Sequence, residues 1–333
     1  MKKLTFISFM IISCVTSIYA QETTTEQPAE PKPKYWHCNG ILSLNASATT
    51  MWNWAAGGNN NATAVASANV TLLYKKDAIA WESNLDTEIG VTYLDTEFKP
   101  WRKSNDKFNF NTKFGWEFHN QLFLTASAGF KSQYARGYSY GDDSMTPVSA
   151  WLSPSYTDIS VGLDYKPNEI FSLYFSPVAG KISTCTKDSL PNAGSLKGTK
   201  NALRPIYGID EDKTFRAELG LSAKFGINFC RVKNLKIIST VGIFTPYTWN
   251  AQTDDEGNVL MKEGKKVLEA RHFGNFDVDW DFSISYQFLK VLNVSLNTSL
   301  KYYPGILIAD KNDIMKERVQ FKSILGLGIG YSF

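Results

Sequence analysis

Three aspartates stand at alternate positions in Asp277-Val278-Asp279-Trp280-Asp281. Carboxylates at this spacing ligate calcium in a helix–loop–helix hand, but that loop needs glycine at its sixth position and glutamate at its twelfth. Here those positions hold Phe282 and Phe288, so the calcium reading fails. In an extended segment the three carboxylates instead line one face, about 6–7 Å apart. Along the wall of a pore they would attract cations, unless lysines and arginines face and neutralise them. Both readings stay open on the sequence alone.

The other residues that could do chemistry are few. The chain has only three histidines: His37 precedes the first expected strand, His119 falls in a short turn and His272 at the end of a long loop, placements that keep them from forming one site. No G-x-S-x-G nucleophile elbow and no Walker loop occurs. Gly326, Gly328 and Gly330 alternate with Leu327 and Ile329 and no helix follows, so they thin one face of a strand rather than cradle phosphate. Cys38, Cys185 and Cys230 match no zinc spacing, and an odd number is no disulfide framework. The expectation is a protein that is not an enzyme, with no cofactor and no metal site.

The elements that would position these residues have a period of two. In Ile79–Tyr93 the odd positions are mostly large and apolar (Ile79, Trp81, Leu85, Ile89, Val91, Tyr93), while Glu82, Asn84, Asp86 and Glu88 fill even ones. Phe108, Phe110, Phe114, Trp116 and Phe118 alternate with polar residues, and so do Val278, Trp280, Phe282, Ile284 and Tyr286. Each is a strand with one apolar and one polar face. The same rule gives about twelve strands, within a range of 10–14: 40–52, 62–75, 79–93, 107–118, 121–134, 155–166, 170–184, 213–230, 234–246, 275–288, 291–303 and 317–333. Pro154 and Pro177 make 155–166 and 170–184 the weakest of them.

After the first strand the connections alternate long and short, as in a transmembrane barrel with long external loops and short periplasmic turns. An even strand number leaves both termini on the periplasmic side. A barrel also reconciles a mean hydropathy of −0.23 with 14% aromatic residues. The apolar face meets lipid, the aromatics gather at the headgroups, and a polar lumen cancels the average. The near balance of 35 basic and 32 acidic residues offers no electrostatic case for nucleic acid. The expected fold class is therefore all-β, a transmembrane antiparallel barrel over residues 37–333, in the cell outer membrane. Residues 1–20, with Lys2, Lys3 and an apolar run to Tyr19-Ala20, read as a cleaved signal peptide. Lipoprotein processing at Cys14 is the rival. Residues 21–36, with Pro28, Pro31 and Pro33, read as a flexible leader.

By parity the lumen receives Glu82, Asp86, Glu88, Glu117, Asp158, Asp164, Glu218, Asp277, Asp279 and Asp281. It also receives Lys113, Lys131, Arg216, Lys224, Lys236, Lys301, Arg318 and Lys322. Candidates for selectivity are Asp277, Asp279, Asp281, Glu82, Asp86 and Lys322. Trp52, Trp54, Gly57 and Gly58 form either a ligand-binding lip at the mouth or interface anchors around a turn.

The run Trp52-Asn53-Trp54-Ala55-Ala56-Gly57-Gly58-Asn59, with Trp151-Leu152-Ser153-Pro154 and Phe175-Ser176-Pro177, resembles a domain-of-unknown-function family of outer-membrane barrels of Gram-negative bacteria. The resemblance implies fold and location, and no activity. The closing strand, Leu325 to Phe333, resembles the signal read by the barrel-assembly machinery. That machinery and outer-membrane lipid are the expected partners, with a small polar solute as the possible cargo. Two functions follow from the residues: a passive channel or transport-related barrel for small polar solutes, or a closed barrel that displays its loops to a partner. An outer-membrane phospholipase would also have twelve strands, with a histidine on its outer wall. No histidine here falls mid-strand on the lipid face.

Overall fold

A computed structural model describes residues 35–50, 60–140, 145–186, 207–209, 213–232, 234–248, 252, 260–262, 265–266, 271–288, 292–304, 306–309 and 315–332. The expected signal peptide, nearly all of the leader, the lip residues Trp52, Trp54, Gly57 and Gly58, and the terminal Phe333 lie outside these residues.

Twelve strands close into one antiparallel barrel. They are β1 (Trp36–Thr49), β2 (Asn61–Lys76), β3 (Ile79–Leu94), β4 (Trp101–His119), β5 (Leu122–Ser132), β8 (Ser155–Tyr165), β9 (Phe171–Thr184), β10 (Phe215–Phe229), β11 (Leu235–Pro246), β14 (Asp277–Phe288), β15 (Leu292–Tyr302) and β18 (Gln320–Ser332). Each pairs with the next in sequence, and β18 returns to β1. The other six form three two-stranded ribbons within the long connections. They are β6 (Gly137–Tyr140) with β7 (Met145–Ser149), β12 (Met261–Lys262) with β13 (Lys265–Lys266), and β16 (Leu307–Ala309) with β17 (Met315–Glu317).

All twelve expected strands are present, and their alternation sets the two faces. Ile89, Leu163, Leu173, Leu325 and Ile329 are exposed outward, each more than two-fifths accessible. Their register neighbours Glu88, Asp164, Tyr174, Gly326 and Gly328 turn inward. Aromatic rings mark both rims of the apolar band. Trp36 packs on Tyr74 at 4.9 Å and on Trp81 at 6.2 Å near the short turns. Tyr93 meets Trp101 at 5.1 Å near the long loops. Trp81 and Tyr93 are twelve residues apart on one tilted strand, which spans roughly 30 Å along the normal, the thickness of a hydrocarbon core.

Two departures from the expected strands have physical causes. Strand β4 starts at Trp101 rather than 107, because it continues pairing with β3 beyond a bulge at Ser104. Strand β9 carries one extra residue between Phe175 and Val178 against both of its neighbours, at Pro177. Proline cannot donate to a ladder, and a bulge accommodates it. The bulge inverts the parity of β9: Phe175 faces outward before it, and Lys181 faces inward after it. Two glycines permit close approach around this region. A Cβ at Gly162 would overlap the Phe175 carbonyl oxygen, and one at Gly220 would overlap that of Thr245.

Candidate functional site

The candidate site is the lumen, and strand registers place its charges at successive depths. Near the short turns Glu82 lies opposite Lys113, and both line a cavity of about 20 Å³. Lys113 binds Asp164 at 3.1 Å across β5, and Lys166 approaches the same carboxylate at 3.6 Å. A larger cavity of about 240 Å³ opens at the same end, lined by Ile41, Asn234, Lys236, Ser285, Gln287 and Asn293 among others. Farther along, Lys107 joins Asp86 at 2.7 Å and Glu88 at 3.1 Å. Asp281 accepts a hydrogen bond from the Ser299 hydroxyl. Lys322 sits beside Ser299 in the register and is exposed.

The walls approach each other at the level of Asp279. With strands about 4.8 Å apart and tilted about 40°, a circular twelve-stranded barrel would be about 24 Å across between backbones. Lys131 on β5 and Asp279 on β14 are five strands apart around the wall, yet their charged atoms lie 3.9 Å apart. Their side chains together reach only about 10 Å. The backbones are therefore about 14 Å apart along this direction, and the section is flattened. Lys301 also stands 3.9 Å from Asp279. The Lys131 and Asp279 side chains stay about a quarter accessible, so water reaches this constriction.

The external mouth is more tightly filled. Arg271 lies in the connection between β13 and β14 and reaches back over the barrel. Its Nη1 and Nη2 donate to the two Asp277 oxygens, both at 2.8 Å, and Nε donates to Glu218 at 2.6 Å. Nη1 also donates to the Pro304 carbonyl at 3.0 Å. Lys181 completes Asp277 at 2.6 Å, and Arg216 stands 3.2 Å from Glu218. These side chains are under a tenth exposed, apart from Arg216. One guanidinium thus joins β10, β14 and the β15–β16 loop. Burial acts to lower the Arg271 pKa, but the Asp277 and Glu218 carboxylates outweigh it and leave the pKa raised. The charge on the guanidinium is fixed.

Aromatic rings seal the same level. Lys181 lies 4.6 Å from the centre of the Tyr303 ring, and the Tyr156 and Tyr303 rings meet at 6.2 Å, tilted by 33°, from opposite walls. The Tyr303 hydroxyl donates to Asp279. Burial, then the Asp279 charge, push this phenol well above its usual range, so it stays a donor. Beside it, Ala150, Cys185 and Ile209 form a buried apolar cluster with Tyr207. Residues 207–209 of the β9–β10 connection are held there through the Arg216 bond to the Gly208 carbonyl.

Of the residues expected to set selectivity, Asp277, Asp279 and Asp86 are engaged in ion pairs. Glu82, Asp281 and Lys322 make none within 4.0 Å among the described residues. Arg318 precedes β18 and is not a wall residue. The sequence reading omitted Lys107, Lys181 and Arg271. Parity could have found Lys107, which opens the expected strand 107–118 on its polar face. The bulge hid Lys181, and Arg271 sits in a loop with no period to read. His37 stands at the start of β1, His119 at the end of β4, and His272 beyond β11. Cys38 and Cys230 are exposed free thiols, and Cys185 is a buried thiol in no disulfide. Among the described residues no group of His, Cys, Asp and Glu could hold a metal ion.

A closed antiparallel wall with an apolar exterior, aromatic rims and a charged interior defines a β-barrel of the outer-membrane type. The profile of the family described as "Protein of unknown function (DUF3078)" matches residues 46–138, which bears out the resemblance to a domain-of-unknown-function family over that span. The fold is similar to an outer membrane channel from Pseudomonas putida F1, at 8% identity over 93% of this chain and 100% of that one, with TM-score 0.39. It is similar to the translocator domain of autotransporter NalP from Neisseria meningitidis, at 11% identity over 99% and 96%, with TM-score 0.37. The toluene transporter TodX of Pseudomonas putida is similar at 8% identity over 89% and 88%, with TM-score 0.33. No curated protein matches the sequence.

Proposed function

We propose that this chain is a transport-related barrel of the outer membrane, whose charged lumen passes small polar solutes when a latch at its external mouth releases. The observation that carries this reading is Arg271. A loop residue donates four hydrogen bonds to two strands and a second loop, in a nearly dry cluster of lumen charges. A barrel wall alone has no need of a loop arginine folded into its bore. Farther in, the lysines and carboxylates keep access to water, which suits passage of a hydrated solute. Asp281 and Lys322, one of each sign and outside the ion pairs, are the selectivity residues in this reading. Export through residues 1–20 and insertion through the closing strand belong to the same proposal.

Osmotic swelling of proteoliposomes with sugars and amino acids tests it. The wild type should be slowly permeable and Arg271→Ala at least ten times faster. The filled mouth also suits a barrel that only displays its loops. Equal impermeability of both proteins, with the fold intact, would select that function and overturn transport.

A further inference from the structure

The barrel is closed by an incomplete seam. Neighbouring strands elsewhere in the wall share ten to sixteen register pairs, whereas β1 and β18 share five, Ile41–Asn45 against Gly328–Ser332. Both strands continue towards the long loops. Strand β1 runs on to Thr49 paired with β2, and β18 pairs with β15 back to Gln320. The next four register positions, Ala46–Thr49 against Ile324–Leu327, make no pair. Burial agrees with this break. Ala46, Ser47, Ala48 and Thr49 are all exposed, although alternate ones belong to the lumen face, and Gln320 to Ser323 are exposed likewise.

Asn45 marks the point where pairing stops. Its side chain lies across Gly326 and Gly328, where a Cβ would crowd it, and its Oδ1 is buried with no hydrogen-bond partner. Unpaired backbone facing lipid costs several kcal/mol per group. Such an edge persists where water or another molecule reaches it.

The chemistry around the break is one-sided. The lumen faces of β1 from Asn39 and of β2 up to Leu73 carry no charged side chain. On β3, Asp86 and Glu88 are both held by Lys107, which offsets one of their two charges. Lys322, on the lumen face of β18 beside the break, has no carboxylate within 4.0 Å among the described residues. Outside it, Phe321, Leu325 and Leu327 are the lipid-facing residues, each at least three-fifths exposed.

We propose that the external half of the β1–β18 seam is a lateral opening between lumen and outer leaflet, and that it takes single-tailed amphiphiles with an anionic head, the head at Lys322 and the tail along Phe321 and Leu325. This rests on the membrane-barrel reading and does not require the mouth latch to open.

The test uses the full refolded protein in lipid nanodiscs, with Cys38 and Cys230 changed to Ser and a bimane probe on one new cysteine. Ser47→Cys reports the lumen side of the seam, Lys224→Cys the lumen wall away from it, and Leu325→Cys the lipid face. The quenchers are doxyl-stearate and its methyl ester. At Ser47→Cys, quenching should be at least threefold stronger than at Lys224→Cys. It should also be about fivefold stronger for the carboxylate than for the ester, a preference that Lys322→Gln abolishes. Thr49→Cys replaces Ser47→Cys if the latter fails to fold. Quenching at Leu325→Cys but no more at Ser47→Cys or Thr49→Cys than at Lys224→Cys would overturn the opening and leave the membrane barrel standing. A carboxylate preference that survives Lys322→Gln would overturn the head-group assignment. No quenching at Leu325→Cys would overturn both.

Discussion

Replacing Arg271 with alanine should cost the folded protein about 3–5 kcal/mol, the usual penalty for breaking a buried ion pair by removing one member. The magnitude follows from what remains. Asp277 keeps only Lys181, at 2.6 Å, and Glu218 keeps only Arg216, at 3.2 Å with an oxygen that lacks a well-aligned donor. Four hydrogen bonds from the charged guanidinium disappear together, three of them to carboxylates. At about 1.4 kcal/mol per decade, the latched arrangement loses its advantage by a hundredfold to several thousandfold. Lysine at 271 keeps the charge but not the planar fork, so Arg271→Lys should recover less than half of the loss. Urea unfolding of refolded protein, followed by tryptophan fluorescence, measures these differences. A double-mutant cycle with Asp277→Asn should give a coupling of at least about 1.5 kcal/mol. A loss under about 0.5 kcal/mol with no coupling would mean that the loop is not latched, and the reasoning would fail.

Three further outcomes follow from packing and exposure. Gly162→Ala and Gly220→Ala should each destabilise by about 1–3 kcal/mol in the same unfolding assay, because the added methyl meets backbone. Gly180→Ala, whose nearest neighbour would be 3.7 Å away, should be nearly neutral. Cys38 and Cys230 should react with a charged maleimide within minutes, while Cys185 should react only after unfolding. Along β14, cysteines at Asp281 and Ser285 should be labelled from water, and those at Phe282 and Ile284 quenched by lipid-borne doxyl groups. Uniform labelling along the strand would contradict the two faces.

The strands were readable because a membrane wall imposes its period on every residue. Phe276 to Phe288 cannot alternate so strictly unless one face meets lipid and the other does not. The lumen charges Asp86, Lys113, Lys131, Glu218 and Asp279 follow from that parity. What the pattern could not carry lies where the period breaks. Pro177 adds a residue to β9 and turns Lys181 inward, against its own upstream parity. Arg271 gains its role from tertiary contact with strands 53 and 6 residues away in sequence, and a loop gives no spacing from which to read it. The flattening at Lys131 and Asp279 and the short β1–β18 seam concern which strands meet across space, and alternation within a strand says nothing of either.

Planar-bilayer recording of the refolded wild type beside Arg271→Ala bears most directly on the central claim, a charged lumen behind a latched mouth. The wild type should open rarely, and the variant should open at least ten times more often to the same unit conductance, because the constriction at Lys131 and Asp279 is unchanged. A wild type that conducts continuously, or a folded Arg271→Ala barrel that never conducts at any voltage, would contradict it.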